Sequence, residues 1–354
     1  MTERIDSLDT LKGLAIFFVI FIHAQPFFST NNYIEVLTYT VANFSRIAVP
    51  AFFLVSGFLL SLKLEERGKT YEKKELEKIG KYYIIASLAY LPFSIGAGYL
   101  QNQGIITGVA RPLGPHLTGL EGLFNFLYLG KGVGDFLWFF PALFFSIALI
   151  HVFYRYDGIK ELLIGSLILH SVAILSNTYR ILELPVPVED TLFFGLLFTT
   201  SGFVIGKRNL KDLETRGTYL GLFILFSVLH MAERIFITLT VASSNVYYWE
   251  PYFWGPYSFF TAPMAVSFFL YILNRPDWGK ETRLETYGRY GLLGYLLHPA
   301  VIGVFLVLSI GLDQILGTTV LDTAVWDFVF FPLVFVCTME LSIKLREYLN
   351  SRDS

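Results

Sequence analysis

The sequence predicts an all-α fold: a polytopic membrane helical bundle of about ten transmembrane helices, one domain over residues 1–354, with both termini cytoplasmic. Three observations carry that expectation. Charged types make up 16% and apolar types 54% of the 354 residues, where a soluble domain has roughly a quarter charged. Ten apolar segments are long enough to cross hydrocarbon, which takes roughly 20 residues of helix. Basic residues collect on alternate loops, as the positive-inside rule requires.

The segments run 11–28, 46–64, 79–99, 135–155, 160–177, 190–206, 219–241, 254–274, 289–311 and 326–346. Between the third and fourth lies a long Gly-rich connection, about 100–134, placed to cover a site from outside. Within it EGLFNFLYLGK (121–131) is too short to cross and reads as an interfacial or re-entrant piece. Counting the residues that flank each loop, Lys and Arg fall almost entirely at the N-terminus, around 65–78, 156–159, 207–218 and 275–288, and at the C-terminus. The exceptions are Arg46, Arg111, Lys131, Arg180 and Arg234. An even number of spans keeps the alternation and places both ends in the cytoplasm, so the chain reads as a multi-pass protein of the cytoplasmic membrane.

Several classes are excluded. A net charge of -2 gives no footprint for nucleic acid. The single cysteine, Cys337, cannot form an internal disulfide or a thiolate metal cluster. GKGVG in the outer loop lacks the Gly-Lys-Ser/Thr ending of a phosphate-binding loop. No metal site and no permanently bound cofactor is expected.

Ionisable groups within spans cost about 2.5–3.5 kcal/mol at a helix centre and so raise functional hypotheses. Lys12 and His23 are eleven residues apart in the first span. At about 100° per residue they share a face, roughly 16 Å apart along the axis. A cation at the cytoplasmic mouth and a titratable imidazole deeper on the same face suit a reaction tunnel. The structural alternative is a snorkelling lysine and a histidine bonded to a neighbouring helix. His298 follows Arg289 by nine residues, about 14 Å into its span. That depth equals His23's, so the two can face each other. His230 and Arg234 share a face at i,i+4, whereas Glu233 points elsewhere. Pairing within the bundle and binding of an acceptor are both open for them. His170 has no partner nearby in sequence and reads as structural.

LDTLKGLAIFFVIFIH (8–23) resembles the opening of the acyltransferase 3 family of membrane acyltransferases, with Leu8, Asp9, Leu11, Lys12, Gly13 and His23 at the family's positions. VPAFFLVSGFLL (49–60), DFLWFFPAL (135–143) and YGRYGLLGYLLHPAV (287–301) are similar to later family segments, in the same order. The basic stretch 73–83 matches loosely, with lysines where the family has arginines. The resemblance implies O-acyl transfer, usually of acetyl from cytosolic acetyl-CoA, to a hydroxyl of a carbohydrate, glycolipid or similar acceptor, as in polysaccharide modification. Some relatives carry a fused extracytoplasmic hydrolase-like domain, and none is expected here.

On that reading Lys12, oriented by Asp9 at i,i+3, holds the donor's phosphates with Lys78 and Lys81. His23 is the general base, and His298, Ser56 and Tyr295 are candidates to steady the oxyanion. Arg46, Trp138 and Arg234 are placed to hold the acceptor, Trp138 by stacking. The rival from another class is a transporter or flippase for a glycan or small molecule, since mid-membrane His and Arg are common in carriers.

Overall fold

Each predicted span is long and apolar, and the computed structural model is accordingly helical, with no strand among the described residues. It describes residues 5–24, 32–67, 70–102, 119–184, 191–208, 216–240, 257–317 and 324–352. The outer-loop residues 103–118 fall outside these. Thirteen α-helices are described: α1 Asp6–Ala24, α2 Asn32–Phe44, α3 Ala48–Arg67, α4 Thr70–Asn102, α5 Gly119–Phe124, α6 Phe139–Arg155, α7 Ile159–Ala173, α8 Leu192–Gly206, α9 Arg216–Thr240, α10 Thr261–Leu273, α11 Arg283–Arg289, α12 Gly291–Leu316 and α13 Ala324–Arg352.

Among the described residues seven stretches are long and apolar enough to cross a membrane: Asp6–Ala24, Leu37–Glu66, Phe136–Arg155, Ile159–Thr178, Gly217–Thr240, Gly291–Ile315 and Phe328–Arg352. The chain is a multi-pass membrane protein. Leu192–Gly206 and Thr261–Leu273 are shorter apolar helices where two further spans were expected. The remaining expected span, 79–99, lies inside α4, whose Lys-, Tyr-, Ser- and Gly-containing sequence is less apolar than the others. The second span differs in shape from the expected 46–64. It starts earlier and carries a 3-10 turn at Ser45–Ile47 between α2 and α3. Pro50 accounts for the break, because it has no N–H to return to the Arg46 carbonyl. Within the short segment 121–131, α5 is followed by a π-helical turn, Asn125–Leu129.

The chain divides into two compact units. The first comprises 1–52, 214–253 and 260–354. Lipid offers apolar helices no hydrophobic reason to associate, so close packing and small residues must hold them. α1 meets α11 at two glycines. A Cβ on Gly13 would run into the Leu284 carbonyl, and one on Gly288 into the Asp9 carbonyl. The Gly of the Leu-Asp-x-Leu-Lys-Gly segment is therefore a requirement of backbone contact. Further along α1, Phe17 sits edge-on to Phe331 and Phe335 of α13, with centroids 5.0 and 5.1 Å away. α11 is itself fastened: Thr282 accepts from the Glu285 N–H at its N-terminus, and Glu285 in turn binds the Glu281 N–H and Arg289. Burial, then a hydrogen bond to Glu340, raises the Tyr287 phenol above its ordinary range.

The second unit comprises 53–213 and 254–259. Its helices α3 and α8 approach by the same device: a Cβ on Gly57 would strike the Thr199 carbonyl, and one on Gly202 the Leu54 carbonyl. Phe53 packs between Trp138, Phe139 and Phe194. A second π-helical turn, Ile174–Thr178, ends α7, and Thr178 donates to the Tyr257 carbonyl. At the end of α8, Lys207 pairs with Glu65 at 3.0 Å and donates to the Tyr154 hydroxyl at 3.1 Å.

Candidate active site

The first unit brings His23 and His298 together, with ring centroids 5.0 Å apart and planes at 46°. His23 occupies the last described turn of α1, and residues 25–28 of the expected span lie outside the described residues. His23 keeps an exposed surface. His298 lies seven residues into α12 and is fully buried.

His298 owes its orientation to its neighbour in sequence. Pro299 has no N–H and cannot close the helical hydrogen bond to the Tyr295 carbonyl four residues back. His298 Nδ1 lies 2.7 Å from that carbonyl oxygen. A carbonyl can only accept, so Nδ1 carries the proton and donates it. The Tyr295 side chain is itself buried, its ring 5.8 Å from that of His298.

Lys12 lies on the exposed margin of α1 and pairs with Asp9 at 2.6 Å, at the expected i,i+3 spacing. Lys280 approaches Asp6 at 3.9 Å in the same region. Glu285 accepts from Arg289 and holds that guanidinium's pKa above its ordinary value. This end of the unit therefore gathers cations and carboxylates around the first turns of α1.

A polar cluster follows on from the histidine pair. Arg46, in the 3-10 turn, is nearly buried, and its charge acts on both His23 and His230. His230 Nε2 donates to the Asn43 carbonyl at 3.1 Å, and in the neutral ring Nδ1 accepts from the Thr261 hydroxyl at 3.4 Å. Arg234, with no exposed surface, donates from Nε to Asn43 Oδ1 at 2.7 Å. One turn on, Tyr39 and Thr238 share a hydrogen bond at 3.0 Å. Glu233 faces another way and accepts from the Phe260 N–H at 2.9 Å, where α10 begins and backbone donors lack helical partners. Thus α9 clamps the α2–α3 break on one face and the start of α10 on the other. The i,i+4 spacing of His230 and Arg234 signalled their shared face. Asn43 and Thr261 carried no such signal, because a lone Asn or Thr in an apolar run shows its partner only in three dimensions.

The other expected residues belong to the second unit. Ser56 is half-buried in α3, and Trp138 is half-buried at the start of α6 beside Phe53 and Phe194. Lys78 and Lys81 are exposed on α4; Lys78 lies 3.8 Å from Glu75. His170 is buried, with Nδ1 3.3 Å from the Phe193 carbonyl and its ring against Phe194 and Phe198. Among the described residues no three His, Cys, Asp or Glu side chains converge as metal ligands would.

A multi-pass helical protein with a histidine pair in its interior and an ion-paired lysine on the same helix is the class that this geometry defines. The family model for the acyltransferase domain matches residues 5–343, and the chain belongs to the acyltransferase 3 family. Relatives include an amino-acid racemase of Enterococcus faecalis, 27% identical over 321 residues, which are 85% of this chain and 42% of that protein. A serine/alanine racemase of Enterococcus gallinarum is 24% identical over 317 residues, 83% of this chain and 40% of that protein. The chain thus spans less than half the length of these relatives. No solved structure matches it.

Proposed function

We propose that this protein is a membrane-bound O-acyltransferase that takes an acyl group, most simply acetyl, from cytosolic acyl-CoA and places it on a hydroxyl of a carbohydrate, glycolipid or similar acceptor. The observation that carries the reading is the His23–His298 pair at 5.0 Å, in a chain that belongs to an acyltransferase family. Lys12, steadied by Asp9, receives the anionic part of the donor at the cytoplasmic end. His23 takes the proton of the acceptor hydroxyl as its oxygen attacks the thioester carbonyl. Arg46 holds the acceptor near His23, and Arg234 acts by gripping Asn43 beside the turn that carries Arg46. Lys78, Lys81, Ser56 and Trp138 keep the roles that the resemblance gives them.

The test is transfer of labelled acetyl from acetyl-CoA by purified protein in lipid, comparing wild type with His23→Ala. Loss of transfer, with CoA still raising the thermal stability of the variant, supports the reading. Undiminished transfer removes His23 from the chemistry.

A second reading has its own observation. The relatives are named for racemising amino acids, serine among them, and less than half of each aligns with this chain. On this reading the membrane region carries or presents an amino acid and transfers no acyl group. Serine uptake into proteoliposomes without acetyl transfer would favour the carrier.

A further inference from the structure

We infer that the groove between α12 and α13 binds an anionic phospholipid, with one acyl chain lying along the groove and the phosphate on Lys344. The inference is independent of the acyl-transfer reading.

The groove lies wholly within the first unit. Its volume is about 500 Å³, inside the range of roughly 300–1,000 Å³ found for small-ligand sites. Ala300, Val304 and Phe305 of α12 line it with Cys337, Glu340 and Lys344 of α13. Both helices belong to stretches long and apolar enough to cross a membrane, so what fills a furrow between them is hydrocarbon and not water. A chain laid there touches two helices, where a lipid on an open helix face touches one.

Its length matches one leaflet. α12 and α13 run antiparallel and close up where Gly294 meets Met339; a Cβ on that glycine would lie 2.8 Å from the Met339 sulphur. From that level Lys344 is five residues towards the polar end of α13, and Val304 is ten residues the other way. At 1.5 Å per residue the two ends are roughly 22 Å apart. Half a bilayer, headgroup region included, is about 20–22 Å thick. The groove therefore reaches from headgroup depth to the middle of the hydrocarbon.

The charges at its polar end select the headgroup. Glu340 is already engaged: it accepts from the Tyr287 hydroxyl at 3.1 Å and lies 3.7 Å from Arg283. Lys344 is exposed, lines the groove and forms no ion pair among the described residues. Its ammonium has three donors and suits a phosphate oxygen. A lysine at headgroup depth with its stem along apolar surface is the usual snorkelling arrangement, and here the stem borders a chain-sized furrow.

Cys337 makes the test direct, because it is the single cysteine of the chain and lines the groove. The purified full chain in detergent is titrated with dioleoyl phosphatidylglycerol or dioleoyl phosphatidylcholine. The rate of Cys337 labelling by a maleimide and the lipid retained in native mass spectrometry are read. Phosphatidylglycerol should slow labelling saturably and at lower concentration than phosphatidylcholine, with one lipid retained. Lys344→Gln should raise the half-point for phosphatidylglycerol about fivefold, the worth of one interfacial lysine. Arg346→Gln, on the same helix but outside the lining, should leave it unchanged. Val304→Trp, whose indole fills the deep end, should abolish retention, and with the two-lipid comparison it decides the matter if Lys344→Gln does not fold. Equal protection of the wild type by the two lipids would overturn the inference. So would equal losses in Lys344→Gln and Arg346→Gln, which would mean diffuse surface charge only. Protection by inorganic phosphate alone would remove the acyl chain from the site. Protection that grows with protein concentration in the absence of lipid would put a second copy of the chain in the groove instead.

Discussion

Replacing Gly13 by alanine should destabilise the protein, although alanine is the better helix former. In an open helix the exchange gains roughly 0.5–1 kcal/mol. At Gly13 the new methyl would meet the Leu284 carbonyl and lie 3.1 Å from the Gly288 nitrogen. Both are backbone, so no side chain can swing away, and α1 must move off α11. Overpacking of this kind costs about 1–3 kcal/mol, and more where backbone is the obstacle. The net effect is a loss of roughly 1–2 kcal/mol. Gly165 of α7 is the internal control, since a Cβ there meets nothing within 4 Å. Its alanine variant should be stabilised or unchanged. Thermal unfolding of both variants in lipid nanodiscs measures the difference. Since Lys12 and Asp9 flank this seam, Gly13→Ala should also weaken stabilisation by CoA. Equal midpoints for Gly13→Ala and Gly165→Ala would refute the claim that backbone contact, and not flexibility, explains Gly13.

Lys12→Gln should reduce CoA affinity by about tenfold or more, or roughly 1.4 kcal/mol, with Asp9→Asn the milder of the two; isothermal titration reads both. Arg234→Leu should cost about 1–3 kcal/mol, because it leaves the buried Asn43 amide oxygen without its donor. The double variant with Asn43→Leu should recover part of that in the same unfolding assay. Lys207→Met removes a largely exposed pair with Glu65 and should change stability by less than about 1 kcal/mol.

How far the sequence reaches shows in particular residues. Lys12 and His23 lie on one face of one helix, and Asp9 pairs with Lys12, by the 3.6-residue repeat alone. His298 could be matched to His23 because both are counted along their helices from a basic residue, Lys12 and Arg289, at 1.5 Å per residue, and the rings do meet at 5.0 Å. The shared face of His230 and Arg234 was also legible. By contrast, the early start of the second span and its 3-10 turn were not, because a Pro near a helix start is tolerated in many positions and only the surrounding contacts choose one. Asn43 and Thr261 were invisible as partners for the same reason.

By itself the sequence determined that this chain lives in a membrane as helices, where its polar residues stand along each helix, and which family it resembles, since hydropathy and helical repeat act within a single segment. Only the tertiary structure decided which helices touch through glycine, that Asn43 joins α2 to α9, and that the Tyr295 carbonyl, freed by Pro299, takes the His298 proton. Those are relations between atoms held by packing, and local propensity has no term for them.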